Sequence, residues 1–345
     1  MPSSTLPILT FDSIEKIRAL AFGATMFQRR PVFSVKLKER SEVIILKYEV
    51  LAPGRVAPDA TAQWAGKLMS KATGNKSTKV NGLTVAEIQA LGKVPEEKFL
   101  PDGTQKGAYD YLHVFLTNKD YFAYKMPFVD GLTDLGFEVV DDHKSEKWKK
   151  ILAAWARFTT NDGNILYSLG KVVAGDLFNG NNDRIDGLTG DVQTQGNLLV
   201  AGSGAVVGLD FYEANSNNSD LRTAPSNDWP GKQLGSDAEL GLFASKMLDG
   251  LNAKFQNGLS LRETEKIPMT MLEPIRKGLV DGAHDLRSYL QQRLRSGKPV
   301  TSGIMERMRI LGWLTDYAAA PALKWTAAYP GTRQSMLAAH RKKAA

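Results

Sequence analysis

The chain has 345 residues, 43% of them hydrophobic and 23% charged, with a formal net charge of +7. That length and composition give one large domain or two lobes with real cores, not a disordered or fibrous chain. Without cysteine there can be no disulfide, thiolate metal site or cysteine nucleophile, and His113, His143, His284 and His340 lack metal-binding spacing.

Acidic and basic residues are interspersed along the chain, so the positive balance does not by itself indicate nucleic-acid binding. No apolar run is long enough to span a bilayer, and Met1 to Leu9 lacks the basic and apolar regions of a secretory signal. The expectation is a cytoplasmic protein, or an effector secreted into a host cell by a route that leaves no such signal.

In chain order, Phe11 to Phe22 carries Ile14, Ile17, Leu20 and Ala21 at helical spacing behind Asp12-Ser13 and predicts a helix. Phe33–Leu37 and Val43–Val50 predict two strands, the second β-branched and central. Lys47 is its odd member. It either points to solvent or reaches a phosphate as a compact positive charge. Asp59 to Ala72 reads as a helix with Asp59 as N-cap, and Thr84 to Leu91 as a short helix. Residues 95–107 read as loop. Tyr111–Leu116 and Tyr121–Met126, around Thr117-Asn118-Lys119-Asp120, predict a hairpin. From Met126 to Gly131 strand structure breaks, and helical spacing follows.

The lobe boundary is placed at 128: a β-rich N-lobe over 1–128 and a mainly helical C-lobe over 129–345, an α+β architecture. Trp148–Phe158 predicts an amphipathic helix. The run 214–235 reads as a long polar loop, and 237–255, 270–295, 302–318 and 332–343 read as helices.

The most informative stretch runs from Val172 to Asp210. An apolar run delivers Gly175-Asp176-Leu177-Phe178-Asn179-Gly180-Asn181-Asn182-Asp183-Arg184. Turn composition alone favours a surface loop here. Asn197 and Asp210, however, bracket a hairpin pattern, Leu198-Leu199-Val200, Ala201-Gly202-Ser203-Gly204 and Ala205-Val206-Val207. Such a hairpin carries its two ends back to one sheet edge. Oxygen ligands so grouped suit Mg²⁺ with substrate phosphates.

These residues resemble an atypical protein-kinase-like fold. The Asn-x-Asp-Arg of Asn181-Asn182-Asp183-Arg184 is similar to the catalytic loop of the actin-fragmin kinase group, and to those of Golgi casein kinases, type II phosphatidylinositol 4-kinases and some bacterial effector kinases. The resemblance implies a bilobal kinase-like fold that uses ATP and Mg²⁺. It points to Asp183 as the catalytic carboxylate, with Asp176 as structural and second choice. Asn197 and Asp210 would hold the metal, Asp210 within Asp-Phe-Tyr in place of Asp-Phe-Gly. Lys47 would contact the phosphates. Met126 to Gly131 would form the hinge, with Met126 and Phe128 beside the nucleotide. Asn181 and Arg184 would support the loop.

The chain departs from protein kinases in having no Gly-rich loop before Phe33, no Ala-Pro-Glu motif and no Glu on helix 59–72. Gln63, Asp59 or a Glu from elsewhere would have to pair with Lys47. The implied activity is transfer of the γ-phosphate to a protein Ser, Thr or Tyr hydroxyl. Its alternatives are a phosphoinositide kinase, a nucleotide-binding pseudokinase or interaction scaffold, and another transfer such as adenylylation. The expected partner is a protein substrate and not nucleic acid; a membrane or phosphoinositide partner has no basic amphipathic helix behind it.

Overall fold

A computed structural model describes residues 6–21, 32–38, 43–50, 58–75, 80–99, 112–113, 116, 121–128, 133–134, 149, 152–153, 155–156, 158–159, 163–193, 198–201, 204–208, 217–259 and 266–314. They form an α+β structure in two compact units. The first takes in the described residues up to Gln63 and from Val80 to Phe128, the second those from Trp64 to Asn75 and from Thr133 to Leu314.

The first unit is built on a five-stranded antiparallel sheet. Its strands are β1 (Ile14–Ala21), β2 (Val32–Leu37), β3 (Val43–Val50), β4 (Asn81–Gly82) and β5 (Tyr121–Pro127), in the order β1-β2-β3-β5-β4. Strand alternation sends Phe33, Val35, Leu37, Ile44, Leu46 and Ala123 into one core. Leu9, Ile14, Ile17, Leu91, Val94, Leu112 and Leu116 complete it. Helix α1 is Pro58–Thr73, of which residues from Trp64 on belong to the second unit, and helix α2 is Val85–Gly92. Thr84 caps α2: its hydroxyl accepts from the Glu87 N–H while the Glu87 carboxylate accepts from the Thr84 N–H, so both ends of the box are closed.

Four sequence expectations fail here. Residues 14–21 form a strand, not a helix. A register shift between Ile14 and Lys16 marks a bulge, and both Ile14 and Ile17 are buried although they stand three apart. An extra residue in one strand imitates helical spacing. The expected 111–126 hairpin is also absent. Leu112, His113 and Leu116 are helical, and β5 pairs with β3 and β4 instead. Leu112 and Leu116, four apart and both in the core, fit one helix face. Finally, Thr133–Asp134 forms a short strand, β6, where helical spacing was expected. Asp59 lies inside α1, which begins at Pro58, so it is not the N-cap.

The second unit is helical around α3 (Asn164–Asn179), with α4 (Asp237–Leu259), α5 (Leu272–Arg295) and α6 (Ser302–Ile310). Nearly all of α3 is buried. It lies so close to α5 that a Cβ on Gly170 would stand 2.5 Å from the Ile275 carbonyl oxygen. Phe178 stacks on Trp313 and meets Trp229 edge-on, with ring centroids 5.6 and 6.2 Å away. A three-stranded sheet, β6-β7-β8, joins Thr133–Asp134 to the hairpin of β7 (Leu198–Val200) and β8 (Val206–Gly208). The 214–235 run is not simply loop, since Asn217–Ser219 and Pro230–Gly235 are 3₁₀ turns. The expected helix at 332–343 lies outside the described residues, and of Trp148–Phe158 the described residues are helical. No helix among the described residues is long and apolar enough to cross a membrane.

Candidate functional site

The loop that carries Asp183 starts later than its sequence suggests. Helix α3 continues through Asn179, so Gly175 to Asn179 are helical rather than loop. It stops at Gly180, whose φ of +70° is left-handed and whose N–H turns back to the Asp176 and Leu177 carbonyls. A Cβ there would lie 2.2 Å from the Asn218 carbonyl oxygen, so both conformation and space demand glycine.

Asp176 is the buried counter-ion of this loop. Its Oδ2 accepts from Arg184 Nε at 2.7 Å, and its Oδ1 from Arg184 Nη2 and, at 3.2 Å, from Asn181 Nδ2. Only 2% of Asp176 is exposed, and Arg184 is fully buried. Burial pushes the Asp176 carboxyl up, with the guanidinium pulling the other way. Such a carboxylate fixes the loop and is withdrawn from any acceptor, which sets Asp176 apart from a catalytic role.

The rest of the loop is tied on all sides. Asn181 Oδ1 accepts the Asp183 N–H at 3.2 Å, and Ser219 Oγ donates to the Gly180 carbonyl at 2.7 Å. Asn179 Nδ2 donates to the Ala65 carbonyl of α1 at 3.2 Å. Asp186 Oδ1 accepts from the Leu188 and Thr189 N–H groups, each at 2.8 Å. On this frame Asp183 is half-exposed, its main chain pinned by Asn181.

The hairpin behind the loop meets it directly. Leu198 pairs with Gly208 and Val200 with Val206, across a turn closed by Gly204 at φ +82°. The Val206 N–H donates to Ser168 Oγ of α3 at 2.8 Å. A Cβ on Gly208 would lie 3.0 Å from the Arg184 guanidinium carbon. Gly208 therefore packs on the residue next to Asp183, two positions before Asp210. Asn197 and Asp210 themselves lie outside the described residues. Among the described residues no three His, Cys, Asp or Glu side chains are grouped to hold a metal.

In the first unit, Lys47 is buried, at 9% exposure, rather than on a solvent face. It stands opposite Val32 and Tyr124, on the sheet face that also carries Ile45 and Met126. Met126 is buried opposite Ile45. The Phe128 N–H donates to the Val43 carbonyl at 2.9 Å while its side chain is 41% exposed. Gln63 is half-buried on α1.

Sequence reasoning missed two arrangements. The first is the buried pair of Lys125 and Glu87. Lys125 Nζ donates to Glu87 Oε1 and, at 2.7 Å, to the Pro7 carbonyl, while the Leu9 N–H donates to Glu87 Oε1 at 2.9 Å. Burial pushes the Glu87 carboxyl up, but the bonds from Lys125, Leu9 and Thr84 outweigh it and hold it below the usual range. Lys125 stands opposite Leu46, so this pair is on the face opposite Lys47. Glu87 is a helix Glu, committed to a different lysine. The capping spacing Thr84-x-x-Glu87 was legible; its partner Lys125 was not.

The second is Arg307 of α6. Its Nη1 donates to the Asp220, Thr223 and Gly303 carbonyls at 3.5, 3.1 and 3.2 Å, and its Nη2 to the Asn218 carbonyl. The guanidinium lies over Trp229, 5.4 Å from the ring centre. Burial pulls Arg307 down to about 10. Ser302 Oγ adds a 2.6 Å bond to the Arg222 carbonyl. The segment 218–223 is thus clasped to the start of α6 by carbonyls, which carry no side-chain signal. The chain matches no family model and no curated protein.

Proposed function

We propose that the protein is an ATP- and Mg²⁺-dependent kinase that transfers the γ-phosphate to a hydroxyl, first of all a protein Ser, Thr or Tyr. One observation supports the reading best. A buried Asp176–Arg184–Asn181 brace holds a half-exposed Asp183 in a fixed loop, and Gly208, just before Asp210, packs on that brace. Phosphoryl transfer asks mainly for positioned carboxylates and charge neutralisation, and a braced loop that carries a half-exposed carboxylate suits the first requirement.

In this mechanism Asp183 orients the acceptor hydroxyl and takes its proton as the acceptor oxygen bonds to the γ-phosphorus. The bond to the β–γ bridging oxygen breaks and ADP leaves. The hard oxygen donors of Asn197 and Asp210 fit Mg²⁺, which when bound would neutralise phosphate charge. Lys47 steadies the phosphates, and the backbone around Met126 and Phe128 meets the adenine. A cytoplasmic or host-delivered effector setting suits a protein acceptor.

A second reading, a nucleotide-binding pseudokinase or scaffold, draws on one feature. Glu87 is committed to Lys125 and α1 has no Glu, so neither helix offers Lys47 the helix carboxylate found in active kinases. Labelled ATP and Mg²⁺ added to a cell lysate test both. Label in protein supports the first choice, label in extracted lipid the phosphoinositide alternative. No label, with Mg²⁺-dependent thermal stabilisation by ATP, supports the pseudokinase.

A further inference from the structure

Where α1 and α5 lie together in the second unit, positive charge gathers with no ion-pair partner among the described residues. Lys67 Nζ stands 5.3 Å from the centre of the Trp64 ring and 5.8 Å from that of Tyr289. Lys71 Nζ, one turn on, is 5.0 Å from the Tyr289 ring, and the Arg293 guanidinium is 4.9 Å from Trp64. Three cations from two helices therefore share two aromatic rings. None of the three is ion-paired with a described residue; Arg293 Nε donates only to the Pro299 carbonyl, at 3.0 Å.

The surroundings are one-sided as well. From Ala60 to Ala86 the only charged residues are Lys67, Lys71, Lys76 and Lys79, and from Leu286 to Met305 only Arg287, Arg293, Arg295 and Lys298. The nearest carboxylate on α5, Asp285, is one turn before Tyr289 and is taken by Lys171 at 2.9 Å. Lys71 also suits the end of α1, where a cation meets the helix dipole, but Lys67 lies a turn further in and gains nothing there. Ring faces attract cations but do not cancel their mutual repulsion. The Tyr289 hydroxyl is buried and has no hydrogen-bond partner among the described residues. It is a donor on the ring that Lys67 and Lys71 approach, and those cations would neutralise the charge of an acceptor oxygen.

We propose that Lys67, Lys71, Tyr289 and Arg293 form a binding site for clustered phosphate monoesters, borne either by a soluble polyphosphorylated molecule or by a lipid headgroup. Lysines supply point charges and Arg293 a planar fork, a mixture suited to several phosphate oxygens at once. The site is independent of the phosphoryl-transfer reading, since no residue proposed for that chemistry belongs to it.

The test uses the full chain with two probes: soluble inositol 1,4,5-trisphosphate by calorimetry, and phosphatidylcholine vesicles with or without phosphatidylinositol 4,5-bisphosphate by co-sedimentation. Binding is expected in at least one arm, and which arm responds identifies the source. Lys67→Glu with Lys71→Glu should weaken it at least ~10-fold, a charge effect that rising salt should reproduce. Both lysines are exposed, so thermal melting should be unaltered; if it is not, Lys67→Gln alone with Arg293→Lys gives the comparison. Asp183→Asn should leave binding unchanged, which separates this site from the catalytic one. No binding in either arm, or binding indifferent to the charge reversal, overturns the proposal. So does equal affinity for a single-stranded oligonucleotide, which would mean an extended polyanion surface instead.

Discussion

Two aspartates seven residues apart divide their work by burial. Asp176 is enclosed and spends both oxygens on Arg184 and Asn181, while Asp183 is half-exposed. Substitution should separate them. Asp176→Ala leaves a fully buried guanidinium unpaired and should cost about 3–5 kcal/mol, visible as a large fall in Tm. Asp183→Asn should hardly move the melt, yet reduce phosphoryl transfer by at least ~10²-fold, the low end for a positioned base. Equal losses of stability would remove the distinction. The sequence pointed to both residues but could not rank them physically, because the Asp-to-Arg spacing spans a helix end whose place was not visible. Gly180 sets that place through its left-handed backbone.

At the scale of elements, local pattern was enough wherever neighbours in sequence are neighbours in space. Strands β2 and β3, helix α2, the hairpin from Leu198 to Gly208 and the long helices from Asp237 onward all follow from alternation, spacing and turn residues. What failed was non-local or disguised. A bulge gave β1 the spacing of a helix, and β5 chose β3 and β4 over the segment before it. The Glu87–Lys125 pair joins residues far apart in sequence. It also makes a pH prediction. Glu87 titrates below its ordinary value of 4.5, so its stabilising contribution is whole above that value and is lost as pH falls through the lower folded value. Thermal melts taken from pH 7 downward should steepen in that acid range. Glu87→Gln should be destabilised at neutral pH and lose less on acidification; a parallel decline in both proteins would argue against the pair. Gly180→Ala should cost about 2 kcal/mol or more, since it adds left-handed strain to a backbone collision with Asn218, and a denaturation midpoint near wild type would contradict that geometry.

For the whole molecule, an interspersed charge pattern concealed a cluster of three cations, Lys67, Lys71 and Arg293, because α1 and α5 bring together two stretches without acids. Fold class was legible, as an α+β chain with its strands first and most of its helices after. The proposed activity needs Asp183, Asn197 and Asp210 together. The most direct measurement is the rate at which the γ-phosphate of ATP enters an acceptor in the presence of Mg²⁺, for wild type, Asp183→Asn and Asp210→Asn side by side. The account predicts transfer by the wild type and at least a ~10²-fold loss in the Asp183 variant, with the Asp210 variant also impaired. Undiminished transfer by Asp183→Asn, or none by the wild type with any protein or lipid acceptor, would contradict it.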